Sequence, residues 1–172
     1  MPTALGAAAL FHLTISSVCA HATPSASAPL MLATSRTAFV YPVMGPRMSS
    51  DFGVRRHPIK KIRRHHDGID LAAPIGAPIR SIMDGQVMYA DPHGGYGKYI
   101  VVRHVNGFTS HYGHCDTMDV APGAKVAAGQ IIGTVGSSGV STGPHLHFEI
   151  RRDGDAQDPE KYLPGLADEA AG

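Results

Sequence analysis

Along most of the chain the apolar residues fall in short runs, interrupted by glycine or proline at Gly85, Gly94-Gly95, Gly107, Pro122-Gly123, Gly129 and Gly133. Such punctuation suits many short strands joined by tight turns. Two windows alternate apolar and polar residues with period two: Lys98-Tyr-Ile-Val-Val-Arg-His104 and His145-Leu-His-Phe-Glu-Ile-Arg151. Period two places successive side chains on opposite faces of a strand, and no window of helical length carries a clean 3.6-residue stripe. The predicted class is therefore mainly β with little helix. Between two strand-like runs lies Asn106-Gly107, a pair that tolerates positive φ at both positions and predicts a hairpin.

This pattern fills residues 38–164, one domain's worth in a chain of 172 residues. Ahead of it, an apolar run ending at Cys19, LGAAALFHLTISSVC, precedes Ala20-His21-Ala22, a small-x-small cleavage pattern. Residues 1–22 thus read as a signal peptide, although the first basic side chain is Arg36 and His12 interrupts the apolar run. Residues 23–37, rich in Pro, Ser and Ala, read as a linker, and 165–172 as a frayed tail. No solenoid-length repeat, heptad or low-complexity block is visible.

Charge changes this picture little. With 15 basic and 14 acidic residues there is no net field to hold nucleic acid or an anionic membrane, so affinity must come from a shaped site. Two cysteines, Cys19 and Cys115, are too few for a disulfide scaffold. Histidine does change it: 11 copies raise the prospect of a metal or proton-transfer site, since neutral imidazole binds zinc and titrates near neutral pH.

Three clusters are candidates. On the strand reading, His145, His147 and Glu149 share one face while Leu146, Phe148 and Ile150 enter the core. Neighbours on that face lie roughly 6 to 7 Å apart, so one imidazole can bind a metal while the other addresses its water. His66-Asp-Gly-Ile-Asp70 is the second cluster. A straight strand would hold its ends roughly 13 Å apart, so a shared metal requires a bend, for which Gly68 offers freedom. The other reading is a solvated turn with Asp70 as a cap. The third cluster, His111-Tyr-Gly-His114, fits either an acid–base residue at His114 or an exposed loop histidine.

Taken in order, these segments resemble the lysostaphin-type, LytM-like zinc endopeptidases, a family of peptidoglycan hydrolases. The resemblance runs from about Tyr41 to Leu163 through Ser49-Ser-Asp-Phe-Gly-Val-Arg-Arg-His-Pro-Ile59, His66-Asp-Gly-Ile-Asp70, Asp84-Gly-Gln-Val, Gly94-Gly-Tyr-Gly97, Tyr112-Gly-His114 and Gly136-Ser-Ser-Gly-Val-Ser-Thr-Gly-Pro-His-Leu-His-Phe-Glu149. It implies an antiparallel β-sheet groove fold, the duplicated hybrid motif, with zinc held by His66, Asp70 and His147. His114 and His145 become the catalytic histidines, and His66 is selected over His65. Three such ligands leave a fourth tetrahedral position for water, as a catalytic zinc requires. One histidine would take the water proton while the other stabilises the oxyanion, with the division between them open. The implied partners are peptidoglycan peptide stems, met by a monomer with no nucleic acid and no membrane span. The setting is exported, periplasmic or extracellular. Without an appended wall-binding module, D-Ala to diaminopimelate cross-links fit better than glycine bridges.

The remaining features are weighed similarly. Arg55, Arg56, Lys60, Lys61, Arg63 and Arg64 read as a solvated face rather than a wall-polymer site. Cys115 reads as core packing, Tyr112 as structural or substrate-facing, and Glu149 as a buttress of His147 or a solvated carboxylate. A non-catalytic regulator of other wall hydrolases is disfavoured because every ligand and both histidines are present. A lipoyl- or biotinyl-carrier reading of Val120 to Gly133 lacks the modified-lysine turn.

Overall fold

The computed structural model describes residues 39–45, 47–56 and 62–163. The expected leader, linker and tail lie outside the described residues, as do Lys60, Lys61 and the side chains of Arg55 and Arg56. In chain order the strands are β1 (Arg47–Ser50), β2 (Gly53–Arg56), β3 (Arg63–His66), β4 (Ile69–Ala72), β5 (Pro78–Arg80) and β6 (Gly85–Pro92). They continue as β7 (Lys98–Arg103), β8 (Phe108–Met118), β9 (Lys125–Val126), β10 (Ile131–Val135), β11 (His145–Arg152) and β12 (Asp155–Gln157). Helix among the described residues amounts to two 3-10 turns, Gly94–Tyr96 and Pro159–Lys161. None is long and apolar enough to cross a membrane.

The period-two windows form strands as predicted. Leu146, Phe148 and Ile150 of β11 are fully buried, beside Ile69 and Leu71 of β4 and Ile100 and Val102 of β7. The opposite faces of the same strands are left free for polar side chains. Asn106 (φ 58) and Gly107 (φ 74) make the hairpin between β7 and β8.

Ten strands form one sheet, in the order β1-β4-β11-β8-β7-β6-β9, with β12 on β11 and β10 joining β8 to β5. All pairings are antiparallel. The carrier-domain rival fails on topology too, because Lys125 lies in β9 paired with Gln86 rather than in a turn. Strands β2 and β3 form a separate two-stranded ribbon, so the chain leaves that ribbon at His66 and enters the main sheet at Ile69. That change of sheet supplies the bend that a shared site for His66 and Asp70 needs.

Gly68 sits in the bend, but its reason differs from the one expected. It is not in the left-handed region; instead a β-carbon there would lie 2.2 Å from the Phe148 carbonyl oxygen and 2.8 Å from Glu149 Cγ. Glycine is required by the close approach of β11, not by φ. Gly68→Ala is therefore expected to destabilise the fold by at least about 1–3 kcal/mol, the usual cost of overpacking. Urea-unfolding midpoints of the two proteins check this.

Candidate metal centre

Register brings the site together. On the groove side of the sheet, β11 pairs with β4 so that His147 lies opposite Asp70, and with β8 so that His147 lies opposite Gly113. His66 arrives from the end of β3. The three donor atoms converge: His66 Nε2 is 3.0 Å from His147 Nδ1 and 3.2 Å from Asp70 Oδ1, and His147 Nδ1 is 2.9 Å from Asp70 Oδ1. Tetrahedral ligands at 2.0–2.1 Å from zinc stand about 3.3 Å from one another, so these spacings match one face of the tetrahedron within a few tenths of an ångström. All three residues are buried.

The proton arrangement fits a cation equally well. His66 Nδ1 lies 2.8 Å from the Asp51 carbonyl oxygen, which can only accept, so Nδ1 donates and Nε2 keeps the lone pair. His147 Nε2 is 2.9 Å from Glu149 Oε1 and donates to it, which leaves Nδ1 for the centre. Two imidazole lone pairs and a carboxylate oxygen therefore meet at one point, where only a proton or a metal ion relieves their repulsion. Burial alone would lower His147 and raise Asp70. Their mutual hydrogen bond, with Glu149 and His66 adding to it, outweighs burial, lifting His147 to about 9 and holding Asp70 far below the ordinary carboxylate range.

Two further imidazoles face the same space. His114 donates Nδ1–H to the Ser138 carbonyl at 2.7 Å, and His145 donates Nδ1–H to the Gly143 carbonyl at 2.8 Å. Neither Nε2 has a hydrogen-bond partner among the described residues, and the two rings lie 4.7 Å apart. His145 Nε2 stands 3.7 Å from Asp70 Oδ1, outside the donor triangle. Burial pulls His114 down to about 4, so it is neutral near pH 7.

The placement of His114 depends on a feature the alternation did not reveal. Opposite β7, Ile100 faces Tyr112 but Lys98 faces Cys115, so β8 carries one extra residue there, and His114 takes φ 60. Continued period two from Ser110 and Tyr112 would send His114 into the core. The bulge instead gives the core position to Cys115 and turns His114 into the groove.

Several open alternatives are resolved. Glu149 is fully buried and hydrogen-bonded to His147, and so is its buttress rather than a solvated carboxylate. Tyr112 is structural: fully buried, its hydroxyl accepts from Ile82 N at 3.1 Å and joins Ser110 at 2.8 Å. Cys115 packs in the core, its thiol pushed up to about 12 by burial. His65 points away, hydrogen-bonded to Asp67 at 2.9 Å, and Arg63 and Arg64 are exposed. Two residues escaped the sequence reading: Tyr96, whose hydroxyl donates to Glu149 Oε1 at 2.8 Å, and Arg151, whose Nη2 lies 2.7 Å from Glu149 Oε2. Arg151 extends the polar face His145, His147, Glu149 by one period-two step, so it could have been read. Tyr96 could not.

His111, on the same side of β8, shows how burial of imidazole translates into stability. Burial lowers it to about 4. The unfolded chain takes up a proton as the pH falls below about 6.5 while the folded protein does not, so this contribution is complete above 6.5 and lost towards 4. Between pH 7 and pH 5 the loss is about 2 kcal/mol, calculated from the lowering to about 4. Unfolding free energies from urea titrations at the two pH values should differ by about that much more for the wild type than for His111→Gln.

Two histidines and a carboxylate meet around one point on the sheet, with two more imidazoles turned towards it, an arrangement that could hold a metal ion with proton-transfer groups beside it. Comparison with known proteins agrees. Residues 64–159 match the family model described as Peptidase family M23, and the chain belongs to that family. It is 45% identical over 120 residues to the "DD-carboxypeptidase/endopeptidase Mpg" of Neisseria meningitidis, covering 70% of this chain and 28% of that protein. The chain thus spans less than a third of the length of the curated relatives it matches. A zinc-containing peptidase from Vibrio cholerae superposes with TM-score 0.66 and 39% identity, over 70% of this chain and 39% of that one. The catalytic domain of lysostaphin from Staphylococcus simulans gives 0.63 and 33%, over 69% and 92%.

Proposed function

We propose that this chain is a zinc-dependent endopeptidase that hydrolyses peptide cross-links of peptidoglycan. The observation that carries the reading is the convergence of His66 Nε2, His147 Nδ1 and Asp70 Oδ1 within about 3 Å of one another, the two imidazoles having their other nitrogens already committed as donors. These three are the ligands. When bound there, zinc would polarise the scissile carbonyl and lower the pKa of a water towards about 7.

The chain's own residues supply positioning and proton transfer. His114, neutral and anchored on the Ser138 carbonyl, accepts a proton at Nε2. His145, its proton held on Nδ1 by the Gly143 carbonyl and its Nε2 3.7 Å from Asp70, offers a second acceptor nitrogen there and can donate to the oxyanion or the leaving amine only once Nε2 has taken up a proton. The sheet floor suits an extended peptide lying across the centre.

The substrate class follows relatives named for peptidoglycan DD-endopeptidase activity, such as ShyA of Vibrio cholerae, 43% identical over 112 residues. D-Ala to diaminopimelate cross-links are the bonds we assign. Action on peptidoglycan requires export, which the leader-like residues 1–22 support. Incubating zinc-loaded protein with purified sacculi and identifying released muropeptides by mass spectrometry tests the proposal. The expected result is loss of cross-linked dimers with matching gain of monomers; dimers left intact by protein holding one equivalent of zinc would overturn it.

A further inference from the structure

The carboxylate that fixes His147 is itself held from an unexpected direction. Glu149 is fully buried, and its oxygens receive His147 Nε2 and the Tyr96 hydroxyl on Oε1, and Arg151 Nε and Nη2 on Oε2. Residues 147, 149 and 151 are neighbours on one face of β11, so those contacts follow from a single strand. Tyr96 does not: it belongs to the 3-10 turn Gly94–Tyr96, 53 residues earlier in the chain.

That turn is tightly located. Val140 N donates to the Gly95 carbonyl at 2.9 Å, and a β-carbon on Gly139 would lie 2.4 Å from Gly97 N. The turn and the 136–144 segment thus interlock backbone to backbone, and Ser138 of that segment carries the carbonyl that holds His114. The Tyr96 ring stacks on Tyr99 with centroids 4.6 Å apart and lies 5.4 Å from the His147 ring. A phenol fixed on three sides in this way has little freedom to leave Glu149.

We propose that Tyr96 is a positioning residue of the metal centre, acting through Glu149 to hold the His147 ring with Nδ1 aimed at the ion. The physical reason lies in the acceptor's geometry. A carboxylate receiving only strand neighbours can rotate about its side-chain torsions, whereas a donor from a separate, interlocked turn pins Oε1 in place. His147 then inherits both its tautomer and its orientation. Tyr96 thereby ties the 94–97 turn to the ligand set, and the same interlock places the His114 carbonyl partner.

The inference rests on His66, Asp70 and His147 being the ligands. It is tested on the full chain by zinc titration against a chromogenic chelator and by visible spectra of the Co2+-loaded protein, for wild type, Tyr96→Phe, Tyr99→Phe, Glu149→Gln and the double variant Tyr96→Phe/Glu149→Gln. Tyr96→Phe keeps the ring stack and removes one donor. It should weaken zinc binding by about 10-fold, the lower end of the range for losing a ligand's own hydrogen-bond partner because Glu149 itself stays in place, and shift the Co2+ bands. Tyr99→Phe removes a hydroxyl from the same stack, one bonded to His111 at 2.5 Å, and should bind zinc as the wild type does. With Glu149→Gln in place, adding Tyr96→Phe should cost little more, because the path is already broken. The proposal is overturned by wild-type affinity in Tyr96→Phe, by equal weakening in Tyr99→Phe, or by full additivity in the double variant. A wild type that binds neither ion overturns the ligand assignment itself, and this inference with it.

Discussion

Replacing His147 by alanine is expected to abolish stoichiometric zinc binding, weakening affinity by well over the roughly 100-fold that loss of an outer-shell partner can cost. The ring does two jobs: its Nδ1 sits 2.9 Å from Asp70 Oδ1 at the point of convergence, and its Nε2 neutralises part of the buried Glu149. The variant therefore loses a ligand and leaves a buried carboxylate short of a donor, a further cost of about 1–3 kcal/mol. Two measurements separate these effects. Metal content after dialysis reads the ligand, and the melting temperature in the absence of metal reads the donor lost to Glu149. Added zinc should raise the wild-type melting temperature, since an ion at 1,000 times its dissociation constant stabilises by about 4 kcal/mol, and should leave His147→Ala unmoved. A variant that kept one equivalent of zinc would show that His147 is not a ligand.

His114→Ala and His145→Ala should behave in the opposite sense, keeping zinc and losing turnover by about 10²–10⁴-fold each, the range for a positioned acid or base. Their donor nitrogens are spent on the Ser138 and Gly143 carbonyls, and their free nitrogens face the groove outside the donor triangle. Neither ring is needed to close the triangle. The double variant should be only slightly worse than the poorer single one, because acid and base act as a unit on one proton path. Zinc content comparable to wild type, with kcat for a defined cross-linked muropeptide reduced, is the combination to look for. Loss of zinc in either single variant would assign that histidine to the ligand set.

Much of this site was legible in the linear order of residues. Period-two alternation in His145 to Arg151 requires His145, His147 and Glu149 to share a face opposite Leu146, Phe148 and Ile150, because a strand has two sides and the core takes the apolar one. Arg151 follows from the same rule. The need for a bend between His66 and Asp70 also followed from distance alone. Its cause did not: the bend is a passage from the β2–β3 ribbon to the main sheet, and Gly68 is there because the β11 backbone comes within contact of its Cα.

What the sequence by itself determined, then, is the class of fold and the faces of its strands, since these depend on local periodicity, whereas the donor set His66, Asp70 and His147 was implied there by the family resemblance alone. Tertiary structure alone decided three things. The bulge at His114 turned that ring out of the core, against the alternation on either side of it. The carbonyls of Asp51, Ser138 and Gly143 and the carboxylate of Glu149 chose which nitrogen of each imidazole carries the proton. Tyr96 reached Glu149 across 53 residues of chain. Each depends on where a distant backbone lies, and that position is set by packing over the whole sheet rather than by any residue's own preference.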